Sequence, residues 1–199
     1  MSGDSLSRRN VLKSLGMGAA LGSVLRAIPL QAAEYAHSII EAENADDKAG
    51  GYAPRFFTPH QFGTLQLLCE TIFPADADSG GAKEAGAPEF IDLITSENSD
   101  FQLKLGGGIM WLDSTCADRY GSPYLECTHE QQKEILDSIA YRRNAARDKS
   151  LSQGVEFFSL LRSLTSDGFF TSKIGIKYLG YIGNSFLTHF PGCPPVPGV

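Results

Sequence analysis

The side chains best suited to nucleophilic, acid–base or metal chemistry here are four histidines and four cysteines, and no pattern in the chain organises them into a site. His37, His60, His129 and His189 are scattered beside helix caps and loops, where a lone imidazole reads as a surface residue rather than a base. Asp76 and Asp78, followed by glycines, hint at a cation loop but lack the further oxygen ligands and the closing glutamate that calcium requires. Serines are plentiful, yet none sits in a G-x-S-x-G elbow. Gly106-Gly107-Gly108 has neither the spacing nor the Lys-Ser/Thr of a phosphate loop, and no G-x-G-x-x-G is present for a dinucleotide. Without C-x-x-C or C-x-x-C-H, a zinc or iron–sulfur cage and c-type haem have no ligands. The expectation is a chain with no catalytic, cofactor-binding or metal-binding residues of its own, and whether it counts as an enzyme is left open.

The cysteines are Cys69, Cys116, Cys127 and Cys193, which permit three fully paired connectivities. Cys69 lies on an apolar helix face and reads as a buried thiol. Cys116 and Cys127, separated by a Gly-Ser-Pro turn, form a candidate disulfide. Cys193, in Pro-Gly-Cys-Pro-Pro on an extended tail, is a candidate inter-subunit cysteine, with internal pairing as its alternative.

An oxidising compartment is expected from the other end of the chain. Residues 1–33 have a polar start, adjacent Arg8 and Arg9, Lys13, and a glycine-dotted apolar run from about Leu15 to Leu30. That is the layout of an export signal, too short and too weakly apolar to span a membrane, with Arg26 interrupting it. Ser7 to Lys13 (SRRNVLK) resembles the twin-arginine signal, departing from it at Val11, where an aromatic is commonest. The competing reading, an amphipathic helix retained on the protein, is disfavoured by the glycines and the missing polar face. The cleavage point is soft, since Leu30-x-Ala32 and Gln31-x-Ala33 both depart from small-x-small.

Removing this leader takes four of the 17 basic and one of the 23 acidic residues. The remaining 13 against 22 give a net charge of −9, compared with −6 for the whole chain. Nucleic acid is thereby excluded as a partner, because binding it needs a basic stripe to neutralise phosphates. The remaining length suits one domain with a real core, and the 42% hydrophobic content is that of a globular chain.

Residues 34–55 are polar and small and read as a flexible linker or arm. From 56 onward the chain reads as a helical domain. Thr58, Pro59 and Gln61 form a capping box ahead of apolar positions Phe62, Leu65, Leu68, Cys69, Ile72 and Phe73. A turn-rich loop follows Pro74, then a short helix opens at Pro88. A longer helix is predicted from about Phe101 to Tyr120, either broken at its glycine triplet or approached there by another backbone, and stopped by Gly121. Thr128 to Gln131 is a second capping box, and Val155, Phe158, Leu161 and Leu164 mark a further helix. Phe169 to Phe186 is helix-prone but glycine-rich, and the tail from about residue 187 holds four prolines. Convincing strands are absent. The predicted fold is all-α, a single irregular bundle of about five or six helices with long loops and an extended C-terminal tail.

These segments resemble, in their order along the chain, the gluconate 2-dehydrogenase subunit 3 (small or gamma subunit) family. The resemblance spans about Phe56 to Pro194. It rests on Phe57-Thr58-Pro59, Leu68 to Asp76 (LCETIFPAD), Ala85 to Asp92 (AGAPEFID), Leu112-Asp113, Tyr120-Gly121, Thr128 to Leu136, Gly168 to Ser172, Leu179 to Asn184, and Phe190 to Pro194 (FPGCP). It implies a noncatalytic helical small subunit of a periplasmic sugar, sugar-acid or glycoside dehydrogenase complex. The FAD belongs to a large subunit of the glucose–methanol–choline (GMC) type, and a cytochrome c subunit commonly takes the electrons. The small subunit would supply the twin-arginine signal and assist maturation of its partner, meeting a membrane only through the complex. The competing class is a free-standing periplasmic binding protein, or an enzyme with an unrecognised site.

Overall fold

Thr58 and Thr128 start helices in the same way. Each threonine hydroxyl accepts from the backbone N–H three residues on, and the glutamine there, Gln61 or Gln131, accepts in return from the threonine N–H. Both boxes satisfy donors that a helix N-terminus leaves unpaired. They open Pro59–Ile72 (α2) and His129–Ile139 (α5).

The computed structural model describes residues 29–46 and 52–183, and among these every regular element is helical. Besides α2 and α5 they form Leu30–Asp46 (α1), Ala87–Ser96 (α3), Arg142–Arg147 (α6), Ser152–Phe170 (α7) and Lys173–Tyr178 (α8). Ser99–Phe101, the π-helical Gln102–Gly106 and Gly107–Tyr120 run on without interruption as α4, residues 99–120. Helix α7 is the axle, packing against α2, α3, α4, α5, α6 and α8. Around it lie fully buried side chains including Leu65, Leu68, Phe90, Ile91, Leu105, Ile109, Leu112, Ile135, Ile139 and Leu161. Burial of each such side chain stabilises the fold by about 1.5–3 kcal/mol before chain entropy is counted.

The all-α expectation agrees with these elements, and three details differ. First, residues 34–55, read as a flexible linker, contain most of α1. Its inner face is built mainly of alanines: Ala32, Ala33, Ala36 and Ile40 are buried, and α1 lies against α3. Such a face carries a weak hydrophobic periodicity, which is why the sequence reads as a small polar arm. Residues 52–55, also assigned to the linker, are held with Phe56 and Phe57 by Asp92, as described below. Second, α1 begins inside the segment read as leader, so Ala32 and Ala33 belong to the core. Third, the glycine triplet neither breaks α4 nor receives a backbone. The π-helical turn, which ends on Gly106, widens the helix there, and the side chain of Phe157 fills the space beside Gly108. Gly121 does end α4, with φ 82° in the left-handed region where a side chain is disfavoured. The C-terminal tail lies outside the described residues.

Candidate functional site

Asp92 is fully buried on α3, yet its carboxylate is saturated. One oxygen accepts from the Tyr52 hydroxyl at 2.8 Å and the Arg55 N–H at 2.6 Å, and the other accepts from the Phe56 and Phe57 N–H groups, both at 3.1 Å. A buried carboxylate is tolerated only when so many donors replace its water. Burial and then the hydrogen bond to Asp92 push the Tyr52 phenol above its ordinary range. The junction fixes the chain path that delivers Phe57 to the core and Thr58 to its cap.

The structure brings together the sequence's candidate pair. Cys116 and Cys127 are both buried free thiols, near enough that each bears on the other's charge. Cys127 also points its sulfur at the Pro123 carbonyl, 3.5 Å away. Burial, then the neighbouring Cys127, raise the Cys116 thiol well above its ordinary value. Tyr124 is wholly buried beside both, and its hydroxyl finds no partner among the described residues. Cys69 is separate, 3.5 Å from the Thr165 hydroxyl and pushed up to about 12 by burial, which makes it an inert core thiol.

One contact was not legible in the sequence. His60 Nε2 lies 2.8 Å from Asp113 Oδ2, joining α2 to α4 across 53 residues of chain. A histidine oriented by an aspartate is half of a catalytic arrangement. Here no hydroxyl or thiol hydrogen-bonds to the His60 ring among the described residues, and the other Asp113 oxygen accepts from the Tyr124 N–H at 3.0 Å. The pair therefore stitches α2, α4 and the turn Tyr124–Glu126 together. His37 is likewise structural, stacked on Phe90 with ring centroids 5.3 Å apart and 3.0 Å from the Thr171 hydroxyl. Asp76 accepts from the N–H groups of Asp78 and Ser79, closing its own turn. Among the described residues no group of three or more His, Cys, Asp or Glu converges as metal ligands.

The surface offers two features with binding potential. Large apolar side chains stand in solvent at Leu103 and Met110 on α4, and at Tyr178, Leu179, Tyr181 and Ile182 around the end of α8, Ile182 being 91% exposed. Separately, a cleft of about 600 Å³ opens where α4, α6 and α7 meet. No helix among the described residues is long and apolar enough to cross a membrane. Arg8, Arg9 and Cys193 lie outside the described residues.

A protein-family model described as gluconate 2-dehydrogenase subunit 3 matches residues 59–192. No curated protein and no solved structure matches the chain.

Proposed function

From the premise that the chain belongs to the gluconate 2-dehydrogenase subunit 3 family, we propose that it is the noncatalytic small subunit of a periplasmic, FAD-dependent sugar, sugar-acid or glycoside dehydrogenase. Its family is a subunit of a multi-subunit gluconate dehydrogenase complex, which implies a partner dehydrogenase. In this reading the partner is a GMC-type large subunit that holds the FAD and passes electrons to a cytochrome c. The small subunit carries the twin-arginine signal at Arg8 and Arg9, exports the pair already folded and supports maturation of the large chain. Membrane association comes only through the complex.

The observation that carries the reading beyond family membership is the exposed apolar run Tyr178-Leu179, Tyr181-Ile182, together with Leu103 and Met110. Large apolar side chains exposed in groups on the surface favour an interface there. Replacing Arg8 and Arg9 with lysines and measuring sugar-dependent dye reduction in the periplasm tests the escort role. Activity is expected to vanish from the periplasm and remain in the cytoplasm, and normal periplasmic activity would refute it. A covalent link through Cys193 predicts a combined-mass band for the purified complex on non-reducing gels, lost on reduction.

A further inference from the structure

The cleft between α4, α6 and α7 has a charge opposite to that of the chain as a whole. Lys104 from α4, Arg142 from α6 and Lys149 from the turn before α7 line it, against a single carboxylate, Glu156. Its local net charge is +2, in a chain of net −6. None of the three cations forms an ion pair among the described residues, where the pairs found are His60–Asp113 and Lys133–Asp137. Between the charges the cleft presents apolar surface, chiefly Phe101 and Leu160.

Helix α6 adds to the imbalance. Its sequence, RRNAAR, opens with Arg142 and Arg143, has no acidic residue in its first turn, and is not capped by a side chain at Tyr141. Cations at that end oppose the helix dipole by about 0.3–1 kcal/mol each at an exposed site. Arg143 is answered within the chain by the Tyr141 ring, 4.7 Å from its guanidinium, whereas Arg142 is turned to the cleft.

We propose that this cleft receives an acidic segment of the partner dehydrogenase subunit, with carboxylates against Lys104, Arg142 and Lys149 and an apolar side chain on Phe101 and Leu160. The proposal rests on the small-subunit reading and adds to it a second contact, apart from the exposed apolar run at the end of α8. Charge complementarity selects the occupant. Elsewhere an acidic chain repels an acidic segment, so long-range attraction steers it to this cleft. A small free anion is a poor fit, because the three cations are exposed, sit on long flexible stems and come from three separate elements, leaving no desolvated donor cluster to hold one ion. A bilayer surface is also a poor fit, because the charges line a recess rather than a protruding face.

The full-length chain is co-expressed with its dehydrogenase subunit, and complex retention is measured across salt concentrations for the wild type and for the triple variant Lys104→Glu, Arg142→Glu, Lys149→Glu. The wild-type complex is expected to weaken as salt rises. The reversal should weaken it at least about tenfold at low salt and flatten its salt dependence. The neutral set Lys104→Gln, Arg142→Gln, Lys149→Gln should give an intermediate loss with unchanged helical circular dichroism, which keeps the test readable if the reversal lowers yield. A reversal complex with wild-type affinity and salt response overturns the proposal and leaves the subunit reading standing. Failure of the wild-type chain to retain any dehydrogenase overturns both. Loss of binding to phosphatidylglycerol vesicles with the complex unchanged overturns it in favour of a lipid surface.

Discussion

The ring of Phe157 on α7 lies directly against the bare Cα of Gly108 on α4, in space that a Cβ would occupy. The contact is answered in the opposite direction a few residues away, where the Trp111 ring of α4 fills the space beside Gly154 of α7. Two helices thus exchange aromatic side chains for glycines and approach more closely than ridges of larger residues allow.

Gly108→Ala is therefore expected to destabilise the fold even though alanine is the better helix former. Overpacking of about 1–3 kcal/mol outweighs the roughly 1 kcal/mol gained in propensity. Gly107→Ala is the control, since the nearest atom to a Cβ there is Gln153 Nε2 at 3.7 Å, an ordinary contact. It should be neutral or stabilise by up to about 1 kcal/mol. Urea unfolding of the two variants separates close packing from intrinsic propensity.

Asp92→Ala removes the acceptor of one phenol and three backbone N–H groups, of which the Phe57 N–H is buried and the others partly so. A loss above about 3 kcal/mol is expected, because each orphaned buried donor costs about 1–3 kcal/mol. Tyr52→Phe should cost only about 1 kcal/mol, as Asp92 keeps its backbone donors. Limited proteolysis of Asp92→Ala should cut first between residues 52 and 57, and resistance there would refute the anchoring role.

Glu89 supplies a pH dependence with a definite sign. Burial raises its carboxyl above the ordinary value, and Oε2 is buried without a partner. The folded state then holds its proton more tightly than the unfolded chain. This contribution to stability is complete below the unfolded carboxylate pKa and is lost as pH rises through the raised folded value. Glu89→Gln should accordingly be more stable than the parent at pH 7, with the gap narrowing as the medium is acidified toward pH 4. Thermal melts at several pH values check this, and a gap that widens on acidification would contradict it.

Cys116 and Cys127 are buried neighbours and free thiols in this structure. Chain folded with oxidised glutathione present is expected to lose two hydrogens from peptides containing these cysteines, the electrons passing to glutathione, which leaves as two thiols. Mass spectrometry after denaturation and alkylation without reductant reads the outcome directly. Alkylation of both thiols would exclude the bond. Cys69 should take alkylating agent only after denaturation.

Burial of Ala32 and Ala33 in α1 bears on processing. A cut after Ala33 would remove the first turn of a packed helix and two core alanines. The mature protein is expected to retain both residues, with any cut lying upstream of Leu30. A mature N-terminus at Glu34, read by intact mass, would overturn this.

Capping boxes, bulky helical periodicity and glycine stops are local, and each was legible in the residues that form it: Thr58 with Gln61, Thr128 with Gln131, and Gly121. Helix α1 was not legible, because alanines give little hydrophobic contrast and only the facing surface of α3 makes that side an interior. Asp92 looked like any polar residue of a short helix, since its donors lie 35 to 40 positions earlier in the chain. The basic cleft is assembled from residues 104, 142 and 149, and no window of sequence holds all three.

By itself the sequence determined the helical class, where the main helices begin and end, and the family, since these rest on short-range chemistry and on the order of segments. Tertiary structure decided which polar groups became buried anchors, that Gly108 and Gly154 serve close packing with Phe157 and Trp111, that His60 meets Asp113, and that three scattered cations face one recess. These depend on distances between residues far apart in the chain, which only packing around α7 sets.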